Sequence, residues 1–264
     1  MSLSEFVERK INPFFIEIAR LGRLSQNFIY WTAVAPVIGK RGLKRHSLAE
    51  QLFFIGNDSV FIVFLVAAAV GAVLALQAAY QLKQFGAVLY TGALVSVSMT
   101  RELGPIVTAI VIAGRVGASV TAELGTMKVQ EEVDALTTMG IPPIPFLVVP
   151  RILALLIMLP CLTVLGNLVG IYGGFLIGVF GLGMDPYLYH KQTFDALVQK
   201  DIVTGIVKSF VFALLIGIIS THKGLSVEGG AEGVGRATTQ SVVLSIIMII
   251  LADCLCTAAF YYVF

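Results

Sequence analysis

Charged residues are scarce in this 264-residue chain. Asp, Glu, Lys and Arg make up 13% of it, whereas a soluble domain usually carries about 25%. Hydrophobic residues account for 57%, and the mean hydropathy is +0.91. With this composition, a water-soluble enzyme would have too few charged residues to cover its surface. A disordered chain would be less apolar than this one. The composition therefore indicates a polytopic membrane protein, and a net charge of +2 gives no reason to expect a nucleic-acid partner.

Motifs for enzymatic chemistry and for nucleotide binding are also missing. The sequence has no G-x-x-x-x-G-K-[ST] phosphate loop, no H-E-x-x-H motif and no G-x-S-x-G motif. The three cysteines lie in apolar runs, and the three histidines are scattered. We therefore expect no catalytic residue, no metal and no cofactor in this chain. His190 and Asp195 have the H-x4-D spacing of glycerolipid acyltransferases, which leaves a membrane acyltransferase as one alternative.

Long apolar runs predict an all-α polytopic fold with five transmembrane helices. The first run contains no charge and would be about 31 Å long as a helix, enough to cross a bilayer. The third is long enough to be tilted or broken near Pro160, so six spans are the alternative. The runs cover residues 60–80, 86–114, 152–183, 202–220 and 240–264.

The basic residues orient the chain. Eight of the 18 Lys and Arg residues precede the first span, which predicts a cytoplasmic N-terminus. In the N-terminal region, residues 1–50, apolar residues recur at helical spacing after Pro13. This pattern predicts an amphipathic helix in the membrane interface, and a cytoplasmic helix packed on a partner is the alternative. The glycine-rich residues 230–236 predict a flexible loop.

A polar loop, residues 115–150, connects the second and third spans and would face the cytoplasm. Within it, residues 126–140 contain a short acidic amphipathic helix from Met127 to Met139, ended by a Gly-x-Pro-Pro stretch. On the residues alone, this helix is either surface decoration or a docking element for a cytoplasmic subunit.

Four charges lie inside the predicted spans, at Arg101, Glu102, Lys208 and Asp253. Each charge at a helix centre costs about 2.5–3.5 kcal/mol, so such residues usually face a cavity or a partner. Pro105 follows the first two and removes a backbone donor, which predicts a kink there. The four charges either pair internally and lock helices together, or form a site for a charged head group or an ion.

Small residues form a stripe in the third span. Gly170, Gly174 and Gly178 are spaced four residues apart, which lets helices approach closely. The contact would be made within one subunit or between subunits.

A series of short motifs runs through the chain in a characteristic order. They are RELGP at 101–105, AGRVGAS at 113–119, AELGTM at 122–127, EEVDAL at 131–136, MG at 139–140, PR at 150–151 and GVGRATT at 233–239. In order and spacing they resemble the MlaE/YrbE family, the permease subunits of ABC transporters that work with MCE-domain lipid-binding proteins. Glu132 is a small departure, because the family often has Gln there.

The resemblance implies that residues 1–264 form one transmembrane permease domain, two copies of which make a homodimer. The dimer would bind two cytoplasmic ATPase chains, which carry ATP and Mg²⁺, and a periplasmic ring of MCE-domain protein. It would lie in the bacterial inner membrane and move phospholipid between that membrane and the outer envelope, which maintains outer-membrane lipid asymmetry. Residues 126–140 would be the coupling helix, with contacts at Met127, Glu131, Glu132, Val133, Asp134, Leu136 and Met139.

The resemblance also implies a lipid site between the two subunits. Whether Lys208 and Asp253 touch lipid there or only hold the helices stays open. An alternative from another class is an ion-coupled secondary transporter or channel that uses Glu102, Lys208 and Asp253 as a relay and works without an ATPase. The expected lipid-binding residues are Arg101, Glu102, Leu103, Leu74, Leu82, Phe85, Lys208 and Asp253.

Overall fold

The five-span architecture predicted from the apolar runs is confirmed. A computed structural model describes residues 22–24, 26–28, 30–31 and 45–263. From residue 45 onward the described chain is helical without strands, and five helices are long and apolar enough to cross a membrane. Pro160 lies inside the third of these helices without ending it, so the alternative of six spans is wrong. Most of the helix predicted within residues 1–50 lies outside the described residues.

Seven helices between residues 45 and 263 are numbered in chain order. The five long ones are α1 (Arg45–Gln84), α2 (Val88–Val129), α4 (Ile144–Gly181), α6 (Gln199–Leu225) and α7 (Gly230–Val263). Two short ones, α3 (Glu132–Thr138) and α5 (Pro186–Ala196), connect α2 to α4 and α4 to α6. Because successive spans run in opposite directions, α3 and α5 lie at opposite ends of the bundle, called the α3 end and the α5 end.

The helix α2 continues far beyond the predicted second span. The polar residues from Arg115 onward were expected to form a loop, but residues 115–129 extend the helix. Val116, Val120 and Leu124 recur every fourth residue and are almost completely buried. This apolar stripe packs into the main core, which also contains Leu155 of α4 and Phe212 of α6, and keeps the segment helical although its other faces are polar.

The prediction of a flexible loop at residues 230–236 is also wrong. These residues form the first turns of α7. Gly229 and Gly230 adopt φ angles of +89° and +68°, in the left-handed region that glycine enters without steric cost. The change of direction is therefore completed by these two residues, and the helix begins at once.

Two π-helical segments interrupt α2, at Met99–Leu103 and Ala113–Gly117. Pro105 lies two residues after the first of them and cannot donate a backbone hydrogen bond to the preceding turn. The disturbance predicted at this proline therefore takes the form of a π turn, which holds the two charged residues Arg101 and Glu102.

The glycine stripe lets α1 and α4 pack with their backbones in direct contact. A Cβ atom added to Gly71 of α1 would overlap the carbonyl oxygen of Gly170, and one added to Gly173 would overlap the carbonyl oxygen of Ala68. Gly178 packs against the ring of Tyr189 on α5. These glycines are therefore used for contacts within the subunit.

The Gly71–Gly170 contact is a test of this packing. We expect Gly71→Ala to destabilise the protein by about 1–3 kcal/mol, because α1 and α4 must separate to admit the methyl group. Gly235→Ala is the matched control, since nothing lies within 4 Å of the added Cβ atom in α7. Thermal unfolding in detergent measures both variants. Equal melting temperatures for Gly71→Ala and wild type would contradict the close approach.

Candidate functional site

Lys208 of α6 lies at the centre of a polar network between three helices. Its side chain is completely buried, and its Nζ donates hydrogen bonds to the Glu102 carboxylate of α2 and to Thr257 Oγ1 of α7, the latter at 2.7 Å. Asp253 Oδ1 of α7 lies 2.9 Å from the same Nζ, as an ion pair rather than an aligned hydrogen bond. The network therefore ties α2, α6 and α7 together.

This network lies deep in the bundle. Lys208 lies between two and three turns into α6, about 14 Å from the α5 end of that helix. This depth is close to the middle of a hydrocarbon core that is about 30 Å thick. A buried ammonium group there would cost several kcal/mol without a counter-charge. Two carboxylates and a hydroxyl group surround it and offset that cost.

Arg101 extends the network toward the surface of the bundle. Its side chain is 38% exposed, with Nε 3.9 Å from Glu102 Oε1 and Nη1 4.0 Å from Asp201 Oδ1. Exposed pairs at such distances contribute about 1 kcal/mol or less. The guanidinium group therefore keeps hydrogen-bond donors for an anionic ligand.

A cavity of about 470 Å³ opens beside Arg101. Its volume falls within the range of small-molecule sites, about 300–1,000 Å³. The wall combines charged groups, which can bind an anion, with apolar and aromatic groups that can pack on hydrocarbon. Besides Arg101, the lining residues are Val198, Lys200, Asp201, Thr204, Phe260 and Tyr261.

The structure brings some of the predicted lipid-binding residues together and separates others. The four intramembrane charges form one network. Leu74 and Leu103 pack in a neighbouring apolar cluster around Met99. Leu82 is half-buried near the end of α1, and Phe85, which follows that helix, is 81% exposed.

Several residues of the site were missed by the sequence reasoning. Thr257 lies one turn after Asp253, so its place beside the same partner follows from helical spacing and could have been found. Asp201 and Lys200 precede the fourth span predicted at residues 202–220, so they were not among the candidate site residues. Only the packing of α6 against α2 brings Asp201 near Arg101.

The segment predicted as a coupling helix is not one continuous helix. α2 ends at Val129 and α3 begins at Glu132, so the single helix expected from Met127 to Met139 is divided. Glu131 between the two has a φ angle of +61°, a left-handed conformation that breaks the helix. Met127 accordingly belongs to α2 and not to α3.

The short helix α3 has a buried and an exposed face. Val133 is 7% exposed and packs in the main core, with Leu136 and Met127 partly buried against it. Lys128 Nζ lies 2.9 Å from the carboxylate of Asp134, which joins the end of α2 to α3. The other predicted coupling residues are exposed: Glu131, Glu132, Asp134 and Met139.

The geometry of α5 does not support an acyltransferase. His190 and Asp195 are both exposed on this helix, but five residues of helix place them about 140° apart around its axis. The His190 ring packs instead against Phe194, with ring centroids 4.5 Å apart.

Comparisons with known proteins agree with the fold and the motifs. The chain matches the family described as Permease MlaE over residues 48–259. A probable ABC transporter permease protein of Rickettsia prowazekii is 43% identical over 87% of this chain and 88% of its own length. Similarly named proteins of Synechocystis and Pyropia yezoensis are 39% and 35% identical, over 80% and 79% of both chains. The fold and these relatives define a multi-pass permease of the ABC transporter class, a transport subunit. The chain belongs to the MlaE permease family.

The buried network generates a stability prediction. Lys208→Met should destabilise the protein by about 3–5 kcal/mol, because Glu102 and Asp253 lose their counter-charge. The triple variant Lys208→Met/Glu102→Gln/Asp253→Asn should recover most of the loss, since no unpaired charge remains. Thermal unfolding in detergent measures both, with Lys83→Met, at an exposed position near the end of α1, as the control. If Lys208→Met has the same melting temperature as the wild type, the network does not hold the helices together.

Proposed function

We propose that this chain is the permease subunit of an ATP-driven transporter of phospholipid. It moves phospholipid between the bacterial inner membrane and the outer envelope and so maintains outer-membrane lipid asymmetry. The observation that carries the proposal is the partly exposed Arg101 beside an amphipathic cavity inside a membrane-spanning bundle. A phospholipid presents both an anionic phosphate and apolar chains, and this cavity has a partner for each.

The proposal divides the four intramembrane charges between two roles. Lys208 has no exposed surface and is enclosed by its partners, so Lys208 and Asp253 hold the helices. Arg101 and Glu102 are 38% and 33% exposed, so they meet the head group. The apolar cluster with Leu103 lies on the adjoining part of α2 and suits the acyl chains. An ion relay through Lys208 is less well supported, because its ammonium group is sealed from water.

A second copy of the chain would complete the lipid site. Only 11% of the most apolar stretch of α7 is buried, although the same helix supplies Asp253 and Thr257 to the network. The remaining surface of α7 is large and apolar enough for a subunit contact inside the membrane. Its exposed side chains include Val243, Ile247, Ile250, Leu251 and Leu255.

ATP hydrolysis would take place in two separate cytoplasmic ATPase chains, which hold ATP and Mg²⁺. The exposed surface of α3 supports this arrangement, because it presents acidic groups beside Met139, which is 72% exposed. Val133 and the Lys128–Asp134 ion pair fasten α3 to the bundle. A push from the ATPase on α3 would therefore move α2 with it.

The orientation proposed for the bundle places the α3 end in the cytoplasm. The eight basic residues before the first span support a cytoplasmic N-terminus. The α5 end, where the cavity beside Arg101 opens, would then face the periplasm and the ring of MCE-domain protein.

Substitution of Arg101 tests the head-group role. We expect Arg101→Gln to lower phospholipid transfer by about 10- to 100-fold, since a charge-assisted hydrogen bond is worth about 1.5–3 kcal/mol. The measurement is ATP-dependent transfer of a labelled phospholipid by permease, ATPase and MCE protein in proteoliposomes. Arg236→Gln is the control, because that side chain is 73% exposed at the α3 end.

Two outcomes would overturn this part of the proposal. Normal transfer by a folded Arg101→Gln protein that still binds the ATPase would exclude the head-group role. Activity of the permease alone, driven by an ion gradient, would favour the secondary transporter that uses Glu102, Lys208 and Asp253.

Charge reversal on α3 tests the coupling role. We expect Glu132→Lys to reduce co-purification of the ATPase about tenfold while the permease stays folded, because it reverses a charge at the proposed contact. Glu232→Lys is the matched control, since this carboxylate is 89% exposed at the same end of the bundle but outside α3. If the two variants retain equal amounts of ATPase, Glu132 is not part of the docking surface.

A further inference from the structure

The short helix α5 lies beside the bundle rather than above it. Tyr189 and Thr193, one turn apart, form its inner face. Ser96 Oγ of α2 donates a hydrogen bond to the Thr193 carbonyl at 3.2 Å, and Tyr189 is 2% exposed against Gly174 and Gly178 of α4. Burial raises the pKa of Tyr189 to about 12. The inner face is therefore a fixed part of the core.

These contacts set the depth of α5. Its inner residues touch Gly92 and Ser96, which lie about 6–12 Å from the start of α2 at Val88. On the other side they touch Gly178, close to the end of α4. Interfacial helices lie about 5–10 Å into the boundary between head groups and acyl chains. α5 is thus placed below the helix ends, at a comparable depth.

Exposed aromatic rings surround the bundle at the same end. They lie near the ends of α1, α2, α4 and α7 and are 56–87% exposed. Such rings at the ends of membrane spans mark the level of the lipid head groups. They are Tyr80, Phe85, Tyr90, Phe180, Tyr261 and Tyr262.

The outer face of α5 combines aromatic rings with a histidine and a cationic lysine. Tyr187 and Phe194, two turns apart, are 73% and 62% exposed. His190 and Lys191 are exposed between them, and the His190 ring packs on Phe194. A lysine can lay its methylene groups along apolar surface while its ammonium group reaches a phosphate. This stripe matches the head-group region of a phospholipid layer in both polarity and charge.

We propose that α5 is a membrane-surface helix that binds phospholipid head groups of the leaflet at the α5 end. Lys191 contacts the lipid phosphate, while Tyr187 and Phe194 lie at the acyl boundary. This site is separate from the Arg101 network. It depends on where α5 sits and not on which substrate the permease transports.

The position of α5 gives the site a consequence for lipid access. The chain leaves α5 at Ala196 and reaches Val198 and Lys200, which line the cavity beside Arg101. Lipids held on the outer face of α5 are therefore gathered next to the residues that form the cavity wall.

Tryptophan quenching tests the depth of α5. Trp31 is the single tryptophan, so Phe194→Trp in a Trp31→Phe background reports on one position. In vesicles of brominated phosphatidylcholine, we expect stronger quenching when bromine lies near the head group than when it lies near the chain end. Phe64→Trp, in the first span and 51% exposed, should show the reverse order, and Met139→Trp at the α3 end should be quenched weakly.

Two outcomes would contradict the proposed position of α5 at the membrane surface. Quenching of Phe194→Trp that is as weak as that of Met139→Trp would show that α5 faces water and would overturn the proposal. If the Phe194→Trp side chain is shielded from water only when MCE-domain protein is added, this face binds a protein partner, and the proposal is also overturned. Neither result depends on phospholipid transport, so both are distinct from failure of the proposed function.

Lys191→Gln tests the phosphate contact. A nitroxide-labelled anionic phospholipid, added as a minor component, should be enriched beside the Phe194→Trp reporter. Lys191→Gln should reduce that enrichment about fivefold, the effect of one cation at a membrane surface. Asp195→Asn on the same helix removes a charge of opposite sign and should leave the enrichment equal or higher. Equal enrichment with and without Lys191 would overturn the phosphate contact.

Discussion

The buried ammonium group of Lys208 is the constraint on which the site depends. A charge with no exposed surface in a membrane-spanning bundle must be neutralised by its neighbours, and the carboxylates come from Glu102 on α2 and Asp253 on α7. The same three helices carry every residue of the cavity wall except Val198, which directly precedes α6. The ion network therefore positions the cavity, although Lys208 itself does not line it.

The α3 end is held by a different set of contacts. Arg151, about two turns into α4, pairs with Glu123 of α2 at 2.6 Å, and Thr121 Oγ1 lies 2.8 Å from Ser241 Oγ of α7. Thr121 also donates to the carbonyl of Ser220 on α6. Short polar contacts thus join four long helices near α3. The π-helical segment Ala113–Gly117 separates this part of α2 from the part that carries the ion network.

The number of spans could be predicted because a bilayer requires long apolar runs, and those runs are plain in the sequence. Helix ends could not be placed in the same way. Residues 115–129 look polar, yet they stay helical because one buried stripe suffices for packing. The helix break at Glu131 depends on a left-handed backbone conformation, which the pattern of side chains does not predict. The interfacial depth of α5 follows only from its contacts with α2 and α4.

By itself, the sequence determined that this chain is a five-span membrane protein, that it carries the motifs of the MlaE family, and that four charges inside the spans need partners. The tertiary structure alone decided which partners they have. Glu102, Lys208 and Asp253 are far apart along the chain, so spacing cannot pair them, whereas the packing of α2, α6 and α7 brings them into contact. The same packing buries Lys208 and leaves Arg101 partly exposed, because Arg101, unlike Lys208, lies at the edge of the cavity.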